Sequence, residues 1–488
     1  VDYSIHKHDS AGRRGEQIQT GTLSAGHFGV DDVCIRDPGC YSVTLAWGWW
    51  AEVPEPRAGR WTAVLGDGSR RVACERFTVV RYAPEHEPRR AETPAWVPSW
   101  RWEEDTENLF ATFVEQLFRE PTDEEVTWSN LQELLRDPAR NILHDHRMLE
   151  EDGRLDLEPD CADLPYFLRA YFAWKLRLPM AWRQCRRGRA GRPPQCGDTP
   201  NTNLMPVTAS DDVAAFEDLI RTLKRNVHSS SNRTLPGDDM TDVYPVPLTR
   251  EALRPGTVFA DPYGHILVVA AWLPQTLDGY GVLVGADAQP DGTVGRRRFW
   301  RGSFLFTPDT DDAGAGFKAW RPVVYDRGEQ SIAVLTNEEL RRSDEHVPFS
   351  DMQYRGSLDD FYDRVEGLIN PRPLDPRSTQ VALVDALEES VTRRVVSVSN
   401  GEEFMASRGF RPIEMPEGAA IFQTEGPWED FSTPSRDLRL LISIDAVIGF
   451  PDKVERNPER FGLDEAGVGE AVAELRALLD RELAARAF

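Results

Sequence analysis

The residue most able to do covalent chemistry is Cys161, in Pro159-Asp-Cys-Ala-Asp-Leu-Pro-Tyr-Phe-Leu-Arg-Ala-Tyr-Phe-Ala-Trp174. A loop meets an apolar helix there. Pro165 is tolerated only in the first turn of a helix, which puts the helix start near Cys161. Unsatisfied N–H groups and the positive end of the dipole at such a start favour a thiolate. They also supply donors for an oxyanion. The competing reading is a buried cysteine that merely packs.

A nucleophilic cysteine needs a general base, itself held by a third polar group. Of nine histidines, His6, His8, His27, His86, His144, His146, His228 and His346 fall in turn-like or polar contexts. His265 differs: it opens the apolar run His265-Ile-Leu-Val-Val-Ala-Ala-Trp272 after a Pro-Tyr-Gly turn. A strand start fixes a base while its ring reaches into a cleft; the alternative is a histidine that caps a turn. The next apolar run ends in Asp287, whose carboxylate an antiparallel neighbour brings against the far ring nitrogen of His265. Gln289, two residues on and on the same face, is the other candidate for that role.

The elements that must position these residues follow from periodicity. Residues 1–90 contain short strand-like runs (41–47, 61–65, 77–82) between Gly, Asp and Pro turns, the spacing of a β-sandwich-like domain. Ala83 to Pro98 reads as a linker. Leu109, Phe110, Phe113 and Leu117, then Val126, Leu131, Leu134 and Leu135, mark two amphipathic helices. Leu164 to Leu178 is apolar on nearly every side, as a helix buried within a domain is, and 210–226 is amphipathic. Strands return at 257–260, 265–272, 281–286 and 299–306. The tail is mainly helical and ends with Val468, Val472, Leu475, Leu479 and Leu483 on one helix face. The fold class is therefore α+β, with a β domain at 1–90, a candidate catalytic domain at 100–335 and a mainly helical region at 336–488.

Asp160-Cys161-Ala-Asp163 leading into a helix resembles the Asp-Cys-Ser-Gly signature of the NlpC/P60 peptidases. Leu253-Arg-Pro-Gly-Thr-Val-Phe259 and Gly264-His265-Ile-Leu-Val-Val269 resemble that family's paired strands. The similarity covers about residues 150–305. It implies a papain-like core and cleavage of peptides of the bacterial cell wall without a metal. Cys161 would be the nucleophile, His265 the base, and Asp287 or Gln289 the orienting group. Ala162-Asp163 replaces the Ser-Gly of the signature, and Thr257 replaces an Asp. Transglutaminase-like enzymes share the Cys, His, Asp order, which implies a transferase as one alternative. A papain-like structural or binding protein without activity is the other.

The 488 residues carry 57 Lys+Arg against 81 Asp+Glu, a net charge of −24. That balance argues against nucleic-acid or anionic-membrane partners, and no window is apolar enough for a transmembrane helix. No P-loop or Gly-x-Gly-x-x-Gly motif calls for a nucleotide, so no cofactor is expected. His144-Asp-His146 and His6-Lys-His8 lack zinc-site company, so no metal is expected either. The basic stretches Arg183–Arg192 and Arg296–Arg298 suit either a carboxylate-rich substrate or the chain's own acids. Trp47-Gly-Trp-Trp50 and Trp96 to Trp102 are core residues or, if exposed, a surface for a glycan or protein partner of the N-terminal region. Cys34 with Cys40 and Cys185 with Cys196 are spaced for local disulfides, leaving Cys74 and Cys161. With Val1 in place of Met, they point to a periplasmic or secreted protein, a cytoplasmic one being the alternative.

Overall fold

The computed structural model describes residues 2–8, 14–22, 29–31, 41–44, 49–53, 56–67, 70–82, 89–90, 92–120, 126–189, 191–275, 280–414 and 434–486. Cys34, Cys40 and Trp47 fall outside them, and with them the first expected disulfide. The N-terminal strands pair into two antiparallel sheets. Asp2–His8 lies between Arg14–Thr22 and Gly59–Asp67, and the latter pairs with Arg70–Val79. Gly29–Asp31, Tyr41–Thr44 and Trp49–Glu52 form the second sheet.

The main body is a seven-stranded antiparallel sheet. Its order is Val243–Pro245, Gly316–Trp320, Val258–Ala260, Ile266–Leu273, Val282–Ala288, Val294–Arg298 and Thr127–Trp128. Together with the helices this is an α+β arrangement. Side chains alternate across the pleat. Ile266, Val268, Val284, Ala286 and Ala288 pack into one core with the helices Glu104–Leu117, Asp163–Leu176 and Asp212–Asn226. Leu267, Val269 and Leu283 face the other way, into a second core with Phe259, Phe304, Phe317 and the helix Leu358–Ile369.

The helix Asp163–Leu176 is buried from Asp163 to Lys175, and its Tyr166, Arg169, Tyr171 and Lys175 side chains each find a partner. Arg169 forks onto Glu107 at 2.6 and 2.8 Å and lies 3.3 Å over the Trp102 ring, which locks the first helix to this one. Tyr166 donates to Asp242 at 2.9 Å, and Trp174 stacks on Phe216 of the third helix at 4.4 Å. A buried charge is tolerable only when paired in this way. Trp96 and Trp102 are core, their indole N–H groups on the carbonyls of Leu178 and Pro179 at 2.7 Å each. Trp100 is exposed.

Two readings of the sequence are corrected. The stretch read as a linker joins the body from Arg89 on: Arg89 pairs with Asp212 at 3.0 Å, and Thr93–Pro94 pairs with Pro206–Val207. Phe299–Phe306 is an irregular turn rather than a strand, and the charged Val294–Arg298 is the strand. The rings of the turn serve packing: Phe304 meets Phe259 at 4.9 Å and Phe299 at 5.1 Å. After residue 370 the chain is helical at Pro376–Ser407, Pro434–Ile448, Phe450–Arg456 and Val468–Arg486. No described helix is long and apolar enough to cross a membrane.

Candidate active site

The turn Pro262-Tyr-Gly264 delivers His265 to the rim of the sheet. Gly264 has φ 110°, a conformation that favours glycine, and the backbone N–H of Asp261 donates to the carbonyl of His265 at 2.9 Å to close the turn. Val268 is paired with Ala286 in the neighbouring strand. Continued to the strand ends, that register sets His265 opposite Gln289 and diagonal to Asp287, all three on one face. The contacts follow. His265 Nε2 lies 2.9 Å from Asp287 Oδ2, and Gln289 Nε2 donates to the same oxygen at 2.8 Å. Asp287 orients the ring, and Gln289 acts on Asp287.

Asp287 is fully enclosed, and Arg297 reaches its other oxygen at 3.1 Å. Burial pushes the Asp287 carboxyl up, but Arg297 and then His265 outweigh it and hold the group below the ordinary carboxylate range. An anion fixed against an imidazole is the arrangement that selects a tautomer and stabilises an imidazolium. Asp261, at the start of the His265 turn, is held by Arg439 of a C-terminal helix at 2.5 Å.

Cys161 stands differently. Strand Val282–Ala288 turns Val284, Ala286 and Ala288 towards the helices, and Leu283, Gly285 and Asp287 the other way. A Cβ on Gly285 would sit 2.6 Å from the Phe304 ring, which fixes that sense. His265 and Asp287 therefore share the face opposite the one covered by the helix that Cys161 introduces. Arg233 interacts electrostatically with Cys161 and donates to the carbonyl of Pro262, three residues before His265, at 2.9 Å.

The helix start is also partly occupied. Asp160 Oδ1 accepts the backbone N–H groups of Ala162 and Asp163 at 2.8 and 2.9 Å, and the backbone N–H of Asp160 points back to Asp163 Oδ2 at 3.4 Å. This is reciprocal capping. It removes the two N–H groups that follow Cys161 from the supply of oxyanion donors, and Arg233 is a cation that acts on the sulfur electrostatically.

Burial, reinforced by the Asp160 charge, pushes the Asp163 carboxyl up to about 8. Its unfolded value is about 3.9, so between these limits the folded chain holds a proton that the unfolded chain has lost. The associated stability is complete below about pH 4 and falls as pH rises towards 8. Asp163→Asn is expected to melt higher than the wild type at pH 8.5, with the gap closing towards pH 5. Thermal melts at the two pH values check this.

The other candidates find structural partners. The backbone N–H of Arg183 donates to Asp242 at 3.0 Å, and its side chain to the Thr241 carbonyl at 3.0 Å. Arg297 serves Asp287, and Arg298 pairs with Glu389 at 2.7 Å. Arg183, Arg297 and Arg298 thus meet the chain's own acids. His144, Asp145 and Asp152 converge within 4.8 Å, but Asp152 is already bonded by Lys175 at 2.6 Å and Tyr171 at 2.5 Å. Cys185 and Cys196 form a disulfide, and Cys74 and Cys161 are in none. Arg233 was not visible as a candidate in the sequence, because its Ser-Ser-Ser-Asn-Arg segment, a four-residue helix and its cap, carries no motif. Arg439 lies on a distant helix, with no spacing that links it to Asp261. No protein-family model, curated protein or solved structure matches the chain.

Proposed function

We propose that the chain is a cysteine hydrolase that opens an amide bond, with Cys161 as nucleophile, His265 as base and Asp287 as orienting group. The observation that carries this reading is the buried Asp287 carboxylate 2.9 Å from His265 Nε2. It holds the imidazole at a rim, with Nδ1 left for proton transfer. The Cys161 thiolate attacks the amide carbonyl carbon, and the C–N bond breaks as His265 gives its proton to the departing amine. Water then attacks the thioester, His265 takes the water's proton, and the carboxylate product leaves with the thiolate restored. The scheme uses no cofactor.

The resemblance to NlpC/P60 peptidases supports cell-wall peptides as substrate. The Cys185–Cys196 bridge supports an oxidising compartment, periplasmic or secreted. Incubation with such peptides should release products with a new amine terminus, read by mass spectrometry and absent with Cys161→Ala. Incorporation of an added amine into a glutamine peptide would instead assign a transglutaminase-like transferase.

One observation favours a second reading, a papain-like binding or structural protein without turnover. The Cys161 helix and the His265–Asp287 pair lie on opposite faces of the sheet. Absence of turnover on every amide tested selects that reading, whereas activity unchanged by Cys161→Ala rejects Cys161 as the nucleophile.

A further inference from the structure

Two buried cations stand side by side without a paired acid. Arg233 is 4% exposed; Nη1 donates to the Pro262 carbonyl at 2.9 Å and Nη2 to Ser230 Oγ at 3.1 Å. Among the described residues its Nε has no partner. Lys318, 1% exposed in the strand Gly316–Trp320, donates from Nζ to the carbonyl of Thr234, the residue after Arg233, at 2.9 Å. Among the described residues no carboxylate forms an ion pair with either. Asp261, which acts on Arg233 electrostatically, is engaged by Arg439. Asn232, the preceding residue, is fully buried, and among the described residues neither its amide oxygen nor its nitrogen has a partner.

Acids are not scarce in this chain, with 81 of them. A buried guanidinium with no carboxylate in contact is costly, and although Asp238 acts on Lys318 from a distance, burial with Arg233 as neighbour pushes Lys318 down to about 7. Donors remain to be used. A guanidinium has five N–H donors and an ammonium three, so most of those on Arg233 and Lys318 are unspent. A planar guanidinium fork beside a point charge is the donor set that recognises carboxylate and phosphate oxygens.

We infer that Arg233 and Lys318, with the Asn232 amide, form a binding site for the oxygens of a small anion, a carboxylate or a phosphate. The anion is either a free ion or a carboxylate carried by the substrate. The second source rests on the reading of Cys161 as nucleophile, since Cys161 lies within electrostatic reach of Arg233. Binding itself does not depend on that reading.

Thermal melts of the full chain with phosphate or acetate, titrated at constant ionic strength, test the site. The melting temperature should rise with either anion in the wild type and at least as much in Cys161→Ala, because removing the thiol takes no donor from the site. Arg233→Gln should weaken the apparent affinity about tenfold or more, and Lys318→Met should do the same if the glutamine variant does not fold. No anion dependence in the wild type overturns the site, as does a dependence that both substitutions leave intact. An effect seen only in Cys161→Ala makes the thiolate the counter-charge and also overturns it. Competition with phosphate by a peptide acid but not by its amide identifies the substrate as the source. Anion binding without such competition identifies a free ion. Anion binding in a protein with no amidase activity would leave the site standing and remove only the hydrolase.

Discussion

Lys175→Met is expected to destabilise the protein by about 3–5 kcal/mol, the range for removing one partner of a buried ion cluster. Lys175 has no exposed side-chain surface, and its Nζ donates to Glu151 at 2.7 Å, Asp152 at 2.6 Å and the Leu143 carbonyl at 3.0 Å. The carboxylates are tied further: Glu151 accepts the backbone N–H groups of Arg147 and Leu149, and Asp152 those of Asp145 and the Tyr171 hydroxyl. Methionine fills similar volume but leaves two buried carboxylates without their cation. Urea unfolding measures the loss. A triple variant with Glu151→Gln and Asp152→Asn should recover part of it, because neutral amides need no counter-charge.

The pH dependence of that cluster has a definite sign. Burial pushes Glu151 up, but the Lys175 hydrogen bond and charge and the two backbone N–H groups outweigh it and hold the carboxyl below its ordinary range. A depressed folded value contributes stability above the unfolded value of about 4.3, lost as pH falls through the lower folded value. Lys175→Met reverses the balance. Burial then dominates, the folded chain takes up protons more readily, and the gap to the wild type narrows as pH is lowered from 7 to 5.

Asp287→Asn is expected to lower turnover by about 10²–10⁴-fold, the usual contribution of positioned acid–base catalysis, at unchanged secondary structure. The amide keeps the volume but loses the charge that stabilises an imidazolium, and it presents either a donor or an acceptor to His265 according to its flip. Gln289→Ala should cost far less, since Gln289 touches Asp287 rather than the ring. Because Arg297 and His265 keep Asp287 ionised below the ordinary carboxylate range, the wild-type profile should show no step from Asp287 between pH 5 and 9. A role for Asp287 in packing alone predicts the opposite ordering: melting temperature falls while turnover per folded molecule stays constant.

Much of the fold was legible because its signals are local. The helix now bounded at Asp163–Leu176 announced itself by apolar residues on every side and Pro165 near its start. The strands around His265 and Asp287 were bounded by Pro-Tyr-Gly and Asp-Gly turns, and their pairing follows from hairpin order. Period 2 then sufficed to align His265, Asp287 and Gln289. Period 2 does not say which face meets which helix, so the placement of Cys161 across the sheet was not legible. Nor was the capping role of Asp160-x-x-Asp163, in the segment that resembles a peptidase signature. Phe299–Phe306 read as a strand because aromatic residues favour strands, whereas here they fill the core beneath the sheet. Arg233 could only emerge from three dimensions, where distant backbone turns close on it.

The most direct test of the central claim is the rate of Cys161 alkylation by iodoacetamide across pH, with the other cysteines resolved by peptide mapping, in the wild type and in His265→Ala. A thiolate stabilised by a paired imidazolium predicts rapid reaction well below pH 7 that the substitution removes. A rate that rises only near pH 8.5, as for an ordinary thiol, and is the same in both proteins would contradict it.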